Sequence, residues 1–122
     1  MLIREKIKMV IKRYPHILTA MKNKENDRVY LKKYKEWVII DEEVKIITQI
    51  IGEIIDSERT DWVKTFYKKL LRGDSDIRIL IDCPVERGKY YHMKQLFLAK
   101  IYDCCIYRGL VAYEDILSMD IG

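Results

Sequence analysis

The stretch from Asp74 to Arg108, DSDIRILIDCPVERGKYYHMKQLFLAKIYDCCIYR, decides how this chain is read. Ile79 and Leu80 fit a first short helix. Pro84 disfavours helical geometry in the residue before it, so that helix should stop by about Asp82. Cys83 is a small apolar residue and Val85 an apolar plug at the turn. Glu86 then opens a longer helix, where an acid suits the positive end of the dipole. From there Tyr90, Met93, Phe97, Ile101 and Cys104 recur every three or four residues, which is one helical face. Arg87, Gly88, Lys89, Tyr91, His92 and Gln95 are left for the outward face.

A short helix, a tight turn and a basic amphipathic helix make the pattern of a helix-turn-helix, a scaffold that lays its second helix in the major groove of DNA. An ordinary αα-hairpin in a small bundle has the same apolar spacing. On the first reading Arg87, Lys89, Tyr91, His92 and Gln95 offer charge, hydrogen bonding and a flat ring to base edges. Lys68, Lys69, Arg78, Lys94 and Lys100 would hold phosphates.

The run from Asp76 to Leu110 resembles the C-terminal helix-turn-helix of the ArpU and RinA families of phage late-gene transcription regulators. The matching residues are Val85 at the turn, Glu86 and Arg87 as the small polar pair, the consecutive aromatics Tyr90 and Tyr91, then Met93, Lys94 and Leu98. The module is also similar to the promoter-reading region 4 of primary sigma factors. Glu86 stands where these families more often have Ser, and Pro84 where Gly is usual; both bear on helix entry and turn shape. The resemblance covers about the last third to half of the chain, with a weaker likeness around Tyr14-Pro15. It implies a transcriptional regulator that binds double-stranded DNA in a sequence-specific way, as an activator of late genes. RNA polymerase and a second copy of the chain are the further partners this reading admits, and no cofactor is implied.

The chain has 122 residues, 49% of them apolar, which suits one core or a core with an appendage. Only five Gly and two Pro interrupt it, and long-chain residues dominate, which favours helices. The fold class read from this is all-α, about five or six helices ending in the helix-turn-helix. Residues 1–56 form an N-terminal helical region, and 57–122 the DNA-binding region with a short tail. The net charge of +4 is modest, but its distribution is uneven. Residues 1–35 carry net +8, 36–61 net −6, 62–108 net +5 and 109–122 net −3. Two basic blocks around an acidic one fit a protein that meets a polyanion with some faces and turns others away. Charge-rich helices of small proteins vary in the same way.

Cys83, Cys104 and Cys105 are an odd set with no framework spacing, which argues for a reducing compartment and against a disulfide scaffold. Arg4, Glu5, Lys6 and Lys8 break any signal-peptide core. No apolar run approaches the ~20 residues of a membrane span. The protein reads as cytoplasmic.

Taken in order, Ile3, Ile7, Val10 and Ile11 form a helical stripe, with Arg4, Lys8, Lys12 and Arg13 on the other side. Pro15 suits the first turn of a second helix, so a bend falls near Tyr14. Lys22 to Asp27 reads as a polar loop or frayed end. Val29, Tyr30, Tyr34 and Trp37 or Val38 then resume a helical stripe, with Lys32, Lys33 and Lys35 on its polar side. Asp41 can cap an isoleucine-rich helix with a stripe through Val44, Ile47, Ile50 or Ile51, Ile54 and Ile55, either core spine or dimer face. Trp62, Val63, Phe66, Tyr67 and Leu70 mark a support helix that ends at Gly73 as a left-handed cap, before Asp74 or Ser75 starts the next. Gly109 can cap the recognition helix, and Leu110, Tyr113, Ile116 and Leu117 form a short amphipathic tail.

No Walker motif, GxGxxG or HExxH is present, so no enzyme is indicated. Metal-ligand spacing is also lacking, and the cysteines read as packing residues. His92 fits a solvated helix position as well as a base edge. Stacking of single-stranded bases on the tyrosines would need a sheet platform, which this reading lacks. The competing function is a helical protein-interaction module, such as an antirepressor or a polymerase- or regulator-binding protein, motivated by Val44 to Ile55.

Overall fold

The computed structural model describes residues 2–23, 27–83 and 85–110. Among these residues are six helices and one two-stranded antiparallel sheet, in the order α1 (Ile3–Lys12), α2 (Tyr14–Lys22), β1 (Arg28–Leu31), β2 (Glu36–Ile39), α3 (Glu42–Ser57), α4 (Asp61–Arg72), α5 (Asp76–Asp82) and α6 (Arg87–Tyr107). The chain is thus mostly helical, as its composition predicts.

Local chemistry sets most of the element ends. Pro15 lies in the first turn of α2, and the chain bends at Arg13 between α1 and α2. The carboxylate of Asp41 accepts from the Val44 N–H at 2.8 Å and caps α3. Ser75 accepts from the Arg78 N–H at 3.2 Å and caps α5. Gly73 closes α4 at φ 85°; its N–H donates to Leu70 O at 3.2 Å and the Asp74 N–H to Lys69 O at 3.3 Å, the pair of hydrogen bonds of a left-handed cap. The segment of Leu110, Tyr113, Ile116 and Leu117 lies outside the described residues beyond Leu110.

The all-α expectation fails between Arg28 and Ile39. The segment read as a third basic helix is a β-hairpin, with Arg28 opposite Ile39, Val29 opposite Val38, Tyr30 opposite Trp37 and Leu31 opposite Glu36. Its true period is two. Leu31 and Val38 are buried and Val29 half-buried, while Arg28, Tyr30, Trp37 and Ile39 face solvent. The turn Lys32–Lys35 is closed by the Tyr34 N–H donating to Leu31 O at 3.1 Å, with Lys35 at φ 50°. Lys35 stands in the left-handed region where Gly or Asn would be usual, so no turn signature announced the reversal.

One core runs through the described residues. Its spine is α3, whose Val44, Ile47, Ile50, Ile51 and Ile55 are buried, so the isoleucine-rich stretch is interior rather than an open face. Ile3, Ile7 and Val10 of α1 and Tyr90, Phe97, Ile101 and Cys105 of α6 pack into the same cluster. Two aromatic contacts fix α4 on α6. Tyr67 stacks on Phe97 at 4.3 Å, and Phe66 meets Tyr90 edge-on at 5.5 Å. At the far end of α6, Arg108 Nη2 donates to Glu53 of α3 at 2.5 Å. Residues on both sides of the division after residue 56 therefore share this core.

Candidate nucleic-acid interface

The 21 residues of α6 make a rod about 31 Å long. Its inner stripe is Tyr90, Met93, Phe97, Ile101 and Cys105. At 100° per residue, Gly88, His92 and Gln95 fall on the opposite arc. Arg87, Tyr91 and Lys94 share one flank and Lys89 lies on the other. Arg87, Lys89, Tyr91, His92 and Gln95 are all exposed. Arg87, His92 and Gln95 make no side-chain hydrogen bond or ion pair with any other described residue. Lys89 holds its ammonium 5.6 Å from the Trp62 ring centre, which draws it towards α4.

The connection from Cys83 to Glu86 sets how α6 starts. Val85 N–H donates to Cys83 O at 2.7 Å, and Glu86 is extended at the N-cap. Tyr90, buried one turn into α6, donates its hydroxyl to Asp76 at the start of α5. That bond ties the first turn of α6 to the first turn of α5. It also holds the Asp76 carboxyl below the usual carboxylate range, aided by Lys94 at 3.3 Å. Burial and the neighbouring Asp76 push the Tyr90 hydroxyl well above its ordinary value.

The residues expected on phosphates divide. Lys94 and Lys100 lie on α6; Lys94 pairs with Asp76, and Lys100 Nζ donates to the Tyr67 hydroxyl at 3.4 Å. Lys69 of α4 is ion-paired with Asp82 of α5 at 2.5 Å, and that contact holds the Asp82 carboxyl low. Arg78 is exposed on α5. Lys68 is not brought to α6: it borders a groove of about 370 Å³ with Tyr14, Gly52 and Asp56, and no α6 residue lines that groove.

Sequence reasoning missed the cations that α1 brings alongside α6. A groove of about 420 Å³ is bordered by Lys8 and Lys12 of α1, Tyr34 of the hairpin turn, Lys94 and Leu98 of α6, and the carboxylates Asp74 and Asp76. Arg13, expected on a polar face, is 7% exposed. Its Nε donates to Glu36 at 2.6 Å and its guanidinium lies 3.5 Å from the Tyr34 ring centre. This clamp fixes the hairpin turn beside the groove. Two short runs rich in β-branched and aromatic residues, 29–31 and 37–40, on either side of a polar stretch are the signal that could have revealed the hairpin and its basic turn.

Of the three cysteines, Cys83 and Cys105 are buried in the core and Cys104 is half-buried; Cys105 is the deeper of the two. Burial, with Cys104 beside it, pushes its thiol up to about 11. No group of three or more His, Cys, Asp and Glu able to hold a metal ion occurs among the described residues, nor does a helix long and apolar enough to cross a membrane. Comparison with protein-family models, curated proteins and solved structures finds no match to this chain.

Proposed function

We propose that the chain binds double-stranded DNA in a sequence-specific way through α5 and α6 acting as a helix-turn-helix, in the manner of a phage-type transcriptional regulator. The observation that carries this reading is the exposed, uncommitted state of His92 and Gln95 on the arc of α6 opposite its core stripe, with Arg87 equally free on the flank at the start of the helix. Such groups are free to meet base edges without first breaking internal contacts. Lys94, Lys8 and Lys12 supply charge along one flank of α6, and Lys89 and Lys100 along the other. The resemblance of residues 76–110 to the ArpU and RinA regulators supports the same assignment. That resemblance implies an activator of late genes; the cytoplasm as its location, and RNA polymerase and a second copy of the chain as further partners, complete the proposal. A two-fold dimer would double the small surface that one module buries.

Selection of bound duplexes from a random pool tests the proposal. An enriched motif is expected, and its spacing reports half-sites. Arg87→Ala or Gln95→Ala should then relax base preference by ~1–3 kcal/mol, whereas Lys100→Ala should weaken all sequences alike. A pool with no enriched sequence refutes the proposal. So does an Arg87→Ala variant that separates cognate from scrambled duplex as well as the parent does.

One observation favours the alternative of a protein-interaction module. Ile77 and Ile81, one turn apart on α5, are both exposed. On that reading an Ile77→Asp/Ile81→Asp variant loses a protein partner while any duplex binding stays unchanged.

A further inference from the structure

The outer face of the hairpin carries a set of side chains that the α6 reading does not use. Tyr30 and Trp37 sit opposite one another across the strands, their ring centres 5.3 Å apart and tilted by 55°. Trp37 is 62% exposed. Arg28 places its guanidinium 5.0 Å from the Trp37 ring centre. Lys32, Lys33 and Lys35 fill the turn at one end of this face, all three exposed. None of the four cations makes an ion pair with a described residue. Glu36, the single carboxylate between Arg28 and Ile39, is taken inward by Arg13. Beside β1 runs a groove of about 300 Å³ bordered by His16, Thr19, Tyr30, Lys32 and Lys33.

We propose that this hairpin face binds unpaired nucleic-acid bases, stacking them on Tyr30 and Trp37 while Lys32, Lys33 and Lys35 hold the adjoining phosphates. The charge selects the partner. Four uncompensated cations around two aromatic rings would be costly to desolvate beneath a neutral protein surface, but they complement a polyanion. The rings select the form of that polyanion. Base faces in a duplex are covered by one another and only their edges are open, so aromatic faces raised on a sheet are used best by unstacked bases. Four-residue strands span roughly 13 Å, room for about two nucleotides. The proposal stands without the α6 reading, since its readout lies on the hairpin itself.

The chain has two tryptophans, so Trp62→Phe leaves Trp37 as the only indole. The full-length variant is titrated with a short oligothymidylate, an abasic strand of equal length and a duplex. Saturable quenching of Trp37 by oligothymidylate, with little from the abasic strand or the duplex, is expected. In the parent background Tyr30→Ala should weaken oligothymidylate binding by roughly tenfold. Changing Lys32, Lys33 and Lys35 to Gln should flatten the slope of log affinity against log salt by about 2, at ~0.7 per phosphate contact. Both changes fall on exposed side chains, and circular dichroism confirms the fold of each. Unchanged Trp37 emission, equal quenching by abasic strand or duplex, or parental affinity in Tyr30→Ala overturns the proposal.

Discussion

Arg13 joins the α1–α2 bend to the first residue of β2 by donating from Nε to Glu36 at 2.6 Å. The same guanidinium covers the Tyr34 ring, so one side chain holds both the strand and the turn of the hairpin. Nothing else with a charge is buried as deeply among the described residues.

Removing either partner should therefore loosen the hairpin. Arg13→Ala is expected to cost about 1–3 kcal/mol, because it strips the ring contact as well as the ion pair. Glu36→Gln should cost less, since the Glu36 side chain is 41% exposed and its charge is partly screened. Urea denaturation of both single variants and the double one gives the coupling. Strict additivity would show that the pair contributes nothing.

The Tyr90–Asp76 bond predicts a pH-dependent effect. Tyr90→Phe keeps the buried ring and should cost about 1 kcal/mol at neutral pH. Asp76→Ala should cost ~1–3 kcal/mol, by leaving a buried hydroxyl without its acceptor. The folded state holds the Asp76 carboxyl below its unfolded value near 3.9. Its stabilisation is therefore complete above that value and is lost as pH falls through the folded one. The stability gap between parent and Tyr90→Phe should narrow in acid. A gap of equal size at pH 7 and pH 3 would contradict the charge-assisted bond.

Gly52 lies within α3, where a Cβ would meet the Tyr14 hydroxyl at 3.9 Å, an ordinary contact. Gly52→Ala should raise stability by about 0.5–1 kcal/mol through helix propensity alone. Calorimetry should show Tm higher by a few degrees. A lower Tm would mean that α3 and α2 pack more closely at this point than the contact indicates.

Cysteine chemistry gives a fourth check. With its thiol raised to about 11 and its side chain buried, Cys105 should resist iodoacetamide at pH 8 in the folded protein. Cys104, half-buried on the adjacent position, should be modified first, and all three thiols should react in urea. Mass mapping decides, and equal rates at Cys104 and Cys105 in the native state would count against the packing of α6 on α3.

The helices were legible because their ends have local causes. Asp41, Ser75 and Gly73 act through bonds to residues a few positions away, and Pro15 and Pro84 limit their own neighbourhood. The 3–4 spacing of Tyr90, Met93, Phe97 and Ile101 likewise names the buried stripe of α6. At the next turn the expected Cys104 is only half-buried and Cys105 takes the interior position, as a 3.6-residue period drifts along a long helix. The hairpin was hidden for a different reason. Val29, Tyr30, Tyr34 and Trp37 imitate helical spacing only because four turn residues separate the two strands. The turn itself has no Gly, Asn or Pro to betray it. Arg13 was also misplaced, since its partners Tyr34 and Glu36 lie more than twenty residues away and no local pattern reports such a contact. For the candidate site, exposure of His92 and Gln95 follows from helical periodicity, whereas Arg87 is exposed because it begins the helix. The internal pairing of Lys69 and Lys94 depended on where α5 lies and could not be read from spacing.

A genetic consequence follows from α6 having its inner stripe in the core and its outer arc in solvent. If α6 reads duplex DNA as proposed, a screen for loss of binding will collect lesions at Phe97 or Ile101 beside those at Arg87 or Gln95, because both kinds silence the same helix. Only abundance in the cell, normal for the second kind and depleted for the first, tells a blunted reader from a chain that never assembled.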